Sequence, residues 1–118
     1  MEIPDLVADD EVLHRRVHPT FVKPDGLVSS QAFRDREMSV DRASYSNAMV
    51  TIRGCAGFGV TAILTSFARS LNQEVLANKQ LLHPAHALVI GNKSKAIARR
   101  FASETSWVIR VFPTPNDG

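Results

Sequence analysis

The sequence predicts an α+β protein, a single domain built on a mixed sheet of about five short strands with roughly two or three helices. The chain has 118 residues, of which 44% are hydrophobic and 22% charged, as in an ordinary globular domain. Short β-branched segments recur along it, and one alanine-rich segment with helical spacing precedes the last of them. Turn signals separate the segments, and no internal repeat is visible.

The first third of the chain predicts two short elements. Residues 1–12 are rich in acidic side chains and predict an extended lead-in. Residues 13–17 alternate apolar and charged side chains, and Pro19 ends them, which is typical of a short strand. The Lys-Pro-Asp-Gly stretch at 23–26 predicts a turn, because proline presets the first turn angle and glycine accepts a positive φ. A second short element follows around residues 28–33.

The middle of the chain combines polar and glycine-rich stretches. Residues 34–48 are charged and serine-rich, which favours a loop with a short helix capped by Ser39 or Asp41. Residues 49–53 are β-branched and predict a strand, and the glycines of residues 54–59 predict a tight bend after it. The spacing of these glycines differs from that of the motifs that bind dinucleotides or phosphate.

Residues 60–71 fit two structures. Their apolar side chains recur with the spacing of one helical face, which favours a helix. Residues 60–65 taken alone also have the β-branched, apolar character of a buried strand. Periodicity therefore leaves open a second structure, a strand over 59–65 followed by a short helix over 66–72.

The end of the chain predicts a strand, a helix and a second strand. Residues 86–90 form a short apolar run, and Gly-Asn at 91–92 supplies a turn and a helix cap. Residues 93–103 have amphipathic helical spacing, and residues 107–112 are β-branched and aromatic. This order can make a parallel crossover. Residues 113–118 form a polar tail.

Composition narrows the class of protein. Cys55 is the single cysteine, which excludes an internal disulfide and suits a reducing compartment. The sequence has no apolar run of membrane-spanning length and begins with acidic residues, so we expect a cytoplasmic protein without a membrane partner. Residues 1–45 carry an excess of acids and residues 46–118 an excess of bases, which permits an acidic partner or a nucleic acid.

The densest polar cluster lies in the first predicted strand. His14, Arg16 and His18 share one face of that strand, and Arg15 lies between them on the other. Two imidazoles and a guanidinium can bind a phosphate or carboxylate, because arginine offers a bidentate fork and histidine titrates near neutrality. A solvated polar face is the plainer interpretation. A metal site is a third, although a third or fourth ligand cannot be placed.

Further candidates lie elsewhere in the sequence. His83 and His86 form a second pair, which either anchors a loop through His86 or, combined with the first pair, binds a metal. Ser29, Ser30 and Gln31 are candidate ligand-binding or nucleophilic groups, with hydrogen bonding within a turn as the alternative. The predicted C-terminal helix gathers basic side chains that either contact nucleic acid or form a solvated face: Lys93, Lys95, Arg99 and Arg100.

Several of these stretches together resemble a widespread group of small uncharacterised bacterial proteins. The resemblance rests on Leu-His-Arg-Arg-Val-His-Pro at 13–19, Ser-Ser-Gln-Ala-Phe at 29–33 and Ser-Val-Asp at 39–41. Gly-Val at 59–60 and Pro-Ala-His-Ala at 84–87 extend it over most of the chain. It implies a strand over 59–65 followed by a helix, and it implies an association with gene clusters of bacterial conflict and defence systems.

These observations favour a non-enzymatic binding or adaptor subunit of a larger bacterial protein, with no cofactor and no metal, because no set of acid, base and nucleophile is recognisable. A small ribosyltransferase-like enzyme acting on a phosphorylated or nucleotide ligand is the alternative, with His14, Arg16, His18 and Ser30 as candidate catalytic residues. It lacks an assignable catalytic glutamate, since Glu37, the nearest acid, is expected to be exposed. A module that contacts nucleic acid is the third possibility.

Overall fold

One antiparallel sheet organises the computed structural model, which describes residues 2–52 and 54–112. The strands are β1 (Val12–Val17), β2 (Glu37–Arg42), β3 (Gly59–Leu64), β4 (Glu74–Ala77), β5 (His86–Ile90) and β6 (Ser106–Ile109). The helices are α1 (Ala48–Thr51), α2 (Thr65–Ser70) and α3 (Lys95–Glu104). Short 3₁₀ turns span Pro19–Phe21, Ser30–Phe33 and Ala43–Tyr45. The predicted polar tail at 113–118 lies outside the described residues.

The strands follow the order β4-β5-β2-β1-β3-β6, and each described pair is antiparallel. The α+β class is confirmed, with six strands in the described residues where about five are predicted, and with antiparallel pairing in place of a mixed sheet. The parallel crossover that the sequence allows across the last helix does not form, because β2, β1 and β3 separate β5 from β6. α3 therefore connects two strands that do not touch.

One face of the sheet carries the core. Leu13 and Val17 of β1 are fully buried there, and alternate residues of β2 and β5 extend the same surface. The Ser30–Phe33 turn and α3 pack together over this face. The rings of Phe33 and Phe101 stack with their centroids 5.9 Å apart, and Phe67 meets Phe101 edge to face at the same distance.

Two predictions for the middle of the chain are wrong. Residues 37–42 form β2 instead of a loop and a capped helix, because alternate side chains from Met38 onward face the core while the intervening ones are polar. Residues 48–51 form α1 where a strand is predicted. The Asn47 side chain accepts a hydrogen bond from the Val50 backbone at 3.0 Å, and this N-cap outweighs the β propensity of the segment. Arg53, the last residue of the predicted strand, lies outside the described residues.

The later elements agree more closely with prediction. The strand-then-helix structure over 59–72 is confirmed by β3 and α2, and the strands over 86–90 and 107–112 correspond to β5 and β6. α3 begins at Lys95 with Ser94 as its cap, two residues after the predicted one, and the Ser94 hydroxyl accepts from the Ile97 backbone. The element predicted over 28–33 is a 3₁₀ turn, and β4 was not predicted.

A buried arginine fixes the lead-in to the sheet. Arg42 is 0% exposed and donates to both carboxylate oxygens of Glu11, at 2.8 and 2.9 Å. It also donates to the carbonyl oxygens of Pro4 and Leu6. Its guanidinium lies 4.9 Å from the centre of the Tyr45 ring. These bonds satisfy the buried cation and hold residues 4–11 in place without a strand.

Candidate functional site

A cleft of about 520 Å³ opens on the sheet face that the core leaves uncovered. Its charged and imidazole lining comprises His14, His18, His83, His86, Arg15, Arg16, Asp35 and Asp41. Phe21, Phe58 and residues of α1 complete the walls. The structure thus brings both predicted histidine pairs to one site, together with acids from β2 and from the preceding loop. A volume of this size is typical of sites for small organic ligands.

Strand pairing explains why these side chains meet. In the described register, His14 of β1 lies opposite Asp41 of β2, and Asp41 lies opposite His86 of β5. Side chains of directly paired residues share a face, with Cβ atoms about 4.5–5.5 Å apart. Asp41 is therefore flanked by an imidazole on each side. The Thr51 hydroxyl of α1 donates to Asp41 Oδ2 at 2.8 Å and fixes the carboxylate.

The cleft opens where two central strands separate. The described pairing of β1 with β2 covers two positions, which end at His14 and Asp41. Beyond them the Arg15 side chain donates to the Ser39 carbonyl at 3.0 Å and to the Ala32 carbonyl at 3.1 and 3.2 Å. Its guanidinium also pairs with Asp35 at 3.2 Å. The Arg15 side chain is 16% exposed, and its bond to the Ser39 carbonyl of β2 bridges the gap between the two strands.

Arg16 differs from its neighbour in having no such partners. It is exposed on the cleft, and it forms no ion pair within the described part of the chain. Its guanidinium carbon lies 5.4 Å from the centre of the Phe58 ring, a distance at which the ring stabilises the cation and orients it. The hydrogen-bond donors of Arg16 therefore have no partner within the described residues, while those of Arg15 are committed to the fold.

His18 and His86 have opposite hydrogen-bonding patterns. Nδ1 of His18 accepts from the Thr20 backbone at 3.0 Å, so the neutral ring carries its proton on Nε2. Nδ1 of His86 lies 3.3 Å from the Asn78 carbonyl oxygen, which can only accept, so that ring carries its proton on Nδ1. In the neutral state His18 offers a donor through Nε2, and His86 offers an acceptor through Nε2.

His14 forms the floor of the cleft. Burial lowers the pKa of His14, although the Asp41 charge acts in the opposite direction, so the imidazole is neutral at pH 7. Its Nδ1 is buried and has no hydrogen-bond partner among residues 2–52 and 54–112. The Thr20 and Asn78 contacts fix the other two rings, whereas His14 is held by packing between β2 and β3.

The predicted serine site does not join the cleft. The Ser29 hydroxyl accepts from the Gln31 backbone at 3.2 Å and caps the turn that follows it. Ser30 begins that turn, which packs against α3, and Gln31 is exposed. None of the three lines the cleft within the described residues. The Ser29 bond agrees with the alternative prediction from the sequence, namely hydrogen bonding within a turn.

One of the four residues of the predicted basic surface, Lys93, is buried. Lys93 is 4% exposed, and its ammonium donates to the carbonyl oxygens of Val89 at 2.8 Å and Arg36 at 3.0 Å. Its assignment to a nucleic-acid surface is therefore wrong, because the ammonium is enclosed. Burial lowers the pKa of Lys93 to about 8. Lys95, Arg99 and Arg100 are exposed on α3, with Arg100 over the Phe67 ring.

Exposed apolar side chains border the cleft. A second cavity of about 230 Å³ shares Asp41, Val50 and His83 with it. Leu82 lines that cavity and is 83% exposed, and the adjacent Leu81 is 98% exposed. Met49 of α1 is also exposed. The rim therefore places hydrophobic surface next to a polar interior.

Sequence reasoning missed several groups that shape the site. Asp41 was expected as a helix cap, and Asp35, Thr51 and Phe58 carried no local signal. The alternation of polar and apolar residues at 37–42 is a strand signal that could have placed Asp41 beside His14. Within the described ranges, no three or more histidine, cysteine or acidic side chains are grouped in a way that could hold a metal ion. Glu37 does not line the cleft.

Comparison with known proteins finds no matching family model, no similar curated protein and no similar solved structure. Among the described helices, none has both the length and the apolar character needed to cross a bilayer. Functional inference therefore depends on the chemistry of the cleft and its rim.

Proposed function

We propose that this chain is a binding protein that takes a phosphorylated small molecule into the cleft. The observation that carries the proposal is the exposed guanidinium of Arg16, which has no acidic partner within the described residues and lines a cavity of about 520 Å³. The Nε2–H of His18 adds a second donor at the same end of β1. An arginine fork and an imidazole donor are suited to the oxygens of a phosphate.

The local structure supports this assignment of the donors. Phe58 lies against both groups, with its ring 4.7 Å from that of His18 and 5.4 Å from the Arg16 guanidinium. A side chain that is already oriented loses less entropy when a ligand binds. Arg15 adds no unpaired donor here, because its guanidinium is bonded to Asp35 and to the carbonyl oxygens of Ala32 and Ser39.

The test is isothermal titration calorimetry with inorganic phosphate on the wild type and two variants. Arg16→Gln removes the guanidinium, and we expect phosphate affinity to fall about tenfold or more, because charged hydrogen bonds are lost. Arg99→Gln removes an exposed arginine of α3, remote from the cleft, and serves as the matched control. Equal affinity for phosphate in the wild type and the Arg16 variant would refute the proposal.

A second candidate function is the adaptor role, in which the chain is a subunit of a larger bacterial protein in the cytoplasm. The observation that favours it is the exposure of Leu81 and Leu82 beside the second cavity, since large apolar side chains clustered at a cavity are typical of interfaces. Polar replacement of both, Leu81→Ser with Leu82→Ser, should abolish stoichiometric recovery of the same partner protein from the native host. Leu27→Ser, at an exposed leucine elsewhere, should leave recovery unchanged.

A further inference from the structure

We infer that the ligand carries two adjacent hydroxyl groups as well as a phosphate, which makes it a pentose phosphate or a ribonucleotide. This inference rests on the proposed function, because it takes the phosphate end of the cleft as given. The observation that carries it is a pair of hydrogen-bond acceptors, Asp41 and His86, on neighbouring strands beyond the Arg16 end.

Each of these two side chains has one acceptor atom that forms no hydrogen bond within the described residues. Asp41 is held through Oδ2 by the Thr51 hydroxyl, and Oδ1 accepts no hydrogen bond within the described residues. His86 is held through Nδ1 by the Asn78 carbonyl, and this leaves the Nε2 lone pair as its second polar site. With the His86 ring neutral, neither atom can donate, so a second phosphate or a carboxylate would be repelled from this end. A ligand group here must supply hydrogen-bond donors.

The spacing of the acceptors favours two donor atoms on one small ring. Asp41 and His86 are directly paired across β2 and β5, so their Cβ atoms lie about 4.5–5.5 Å apart. Two side chains that converge from this spacing can each accept from one hydroxyl of a vicinal diol. A protonated amine carries three N–H donors on one nitrogen and can also bridge the two acceptors, so a phosphorylated amine is the competing ligand that the experiment must exclude.

The separation of the two ends fits a phosphate attached to such a ring. Arg16 is two residues along β1 from His14, the partner of Asp41, which places the Cα atoms of Arg16 and His14 about 6.5–7 Å apart along the strand. The cleft of about 520 Å³ is also far larger than a phosphate ion needs, given that one water occupies about 30 Å³ in the liquid. A sugar between the phosphate and the acceptors uses this space.

The experiment measures three affinities on the wild type by calorimetry, for ribose 5-phosphate, 2-deoxyribose 5-phosphate and inorganic phosphate. We expect ribose 5-phosphate to bind about tenfold more tightly than either of the others, because the deoxy sugar leaves one acceptor unpaired. Phosphoethanolamine, which pairs a phosphate with an amine, should bind no better than phosphate.

Two variants localise the preference. Asp41→Asn replaces an acceptor oxygen by an amide that can still bond to Thr51, and it should abolish the preference for ribose 5-phosphate while phosphate binding persists. His86→Phe should act in the same direction and provides an independent variant. Similar affinities for all phosphorylated probes, or tighter binding of phosphoethanolamine, would overturn the inference and leave the proposed function intact. Absence of binding to every phosphorylated probe would instead overturn the proposed function.

Discussion

On the helix-covered face of the sheet, Arg42 and Lys93 are almost fully buried, whereas on the cleft face Arg16 is exposed. The two buried cations have their donors matched by carboxylate and carbonyl oxygens of the chain itself. Arg16 is paired with no acid in the described residues and is held only by the Phe58 ring. The buried cations therefore stabilise the fold, whereas the exposed cation is available for binding. The hydrogen-bond partners of each side chain distinguish the two roles.

The histidine side chains also distinguish the two faces of the sheet. Among the described residues the histidines lining a cavity all lie at the cleft, and the covered face is built from apolar side chains and committed cations. His18 and His86 each form a hydrogen bond with the backbone through Nδ1, which leaves Nε2 available for a ligand. Substitutions on the covered face are therefore expected to lower the free energy of unfolding, whereas substitutions on the cleft face are expected to change ligand affinity.

The largest expected effect is at Arg42. Arg42→Gln leaves the Glu11 carboxylate buried without its cation and removes the donors to two carbonyl oxygens. We expect the free energy of unfolding to fall by about 3–5 kcal/mol, the usual loss when one partner of a buried pair is removed. Urea unfolding followed by circular dichroism measures it. A loss below about 1 kcal/mol would show that the buried pair does not hold the lead-in.

A smaller loss is expected at Lys93. Lys93→Met leaves the carbonyl oxygens of Val89 and Arg36 without a donor, at a cost of about 1–3 kcal/mol at pH 7. Burial lowers the pKa of Lys93 from 10.5 to about 8, so between these values the unfolded chain binds a proton that the folded protein has released. The stability of the wild type relative to the variant should therefore rise as the pH increases from 8 to 10.5. A constant or falling difference would contradict the buried position.

These two residues also show how far the sequence could predict the structure. β1 and β5 carry their own local signals and were predicted within a residue or two, whereas the strand at β3 follows from the resemblance, because the apolar spacing there favours a helix. β2 was missed although its side chains alternate, because residues 34–48 are charged and serine-rich and Arg42, a charged residue, is one of the buried ones. The burial of Lys93 depends on carbonyl groups far apart in sequence, which no local pattern can reveal.

Only the part of the cleft that lies on one strand could be predicted from the sequence. The common face of His14, Arg16 and His18 follows from strand geometry alone. His86 reaches that face only because β2 pairs with both β1 and β5, a long-range arrangement that brings Asp41 between the two imidazoles. The strand order, and with it the composition of the site, is a property of the whole sheet.

His14 gives a small effect that is confined to acid. Burial lowers the pKa of His14 below its ordinary value of 6.5, so the unfolded chain binds a proton before the folded protein does. The stability of the wild type should accordingly decline as the pH falls below 6.5. His14→Gln should flatten that decline, as measured by urea unfolding at pH 5 and pH 7. An equal decline in both proteins would assign the acid sensitivity to other groups.

The smallest expected change in stability is at Arg16. Arg16→Gln alters an exposed side chain, and its free energy of unfolding should remain within about 0.5 kcal/mol of the wild type. The same substitution at Arg42 is the matched comparison, because both remove a guanidinium that lies over an aromatic ring. If Arg16→Gln destabilises the protein as much as Arg42→Gln, the two faces do not differ in the way described.

The most direct test of the cleft is a two-bond ¹H–¹⁵N correlation spectrum of the histidine rings, recorded with and without inorganic phosphate. At a pH where the rings are neutral, His18 should carry its proton on Nε2 and His86 on Nδ1, and phosphate should shift the ring signals of His18. Arg16→Gln should suppress that shift. Unchanged histidine signals at saturating phosphate in the wild type would contradict a phosphate site between Arg16 and His18.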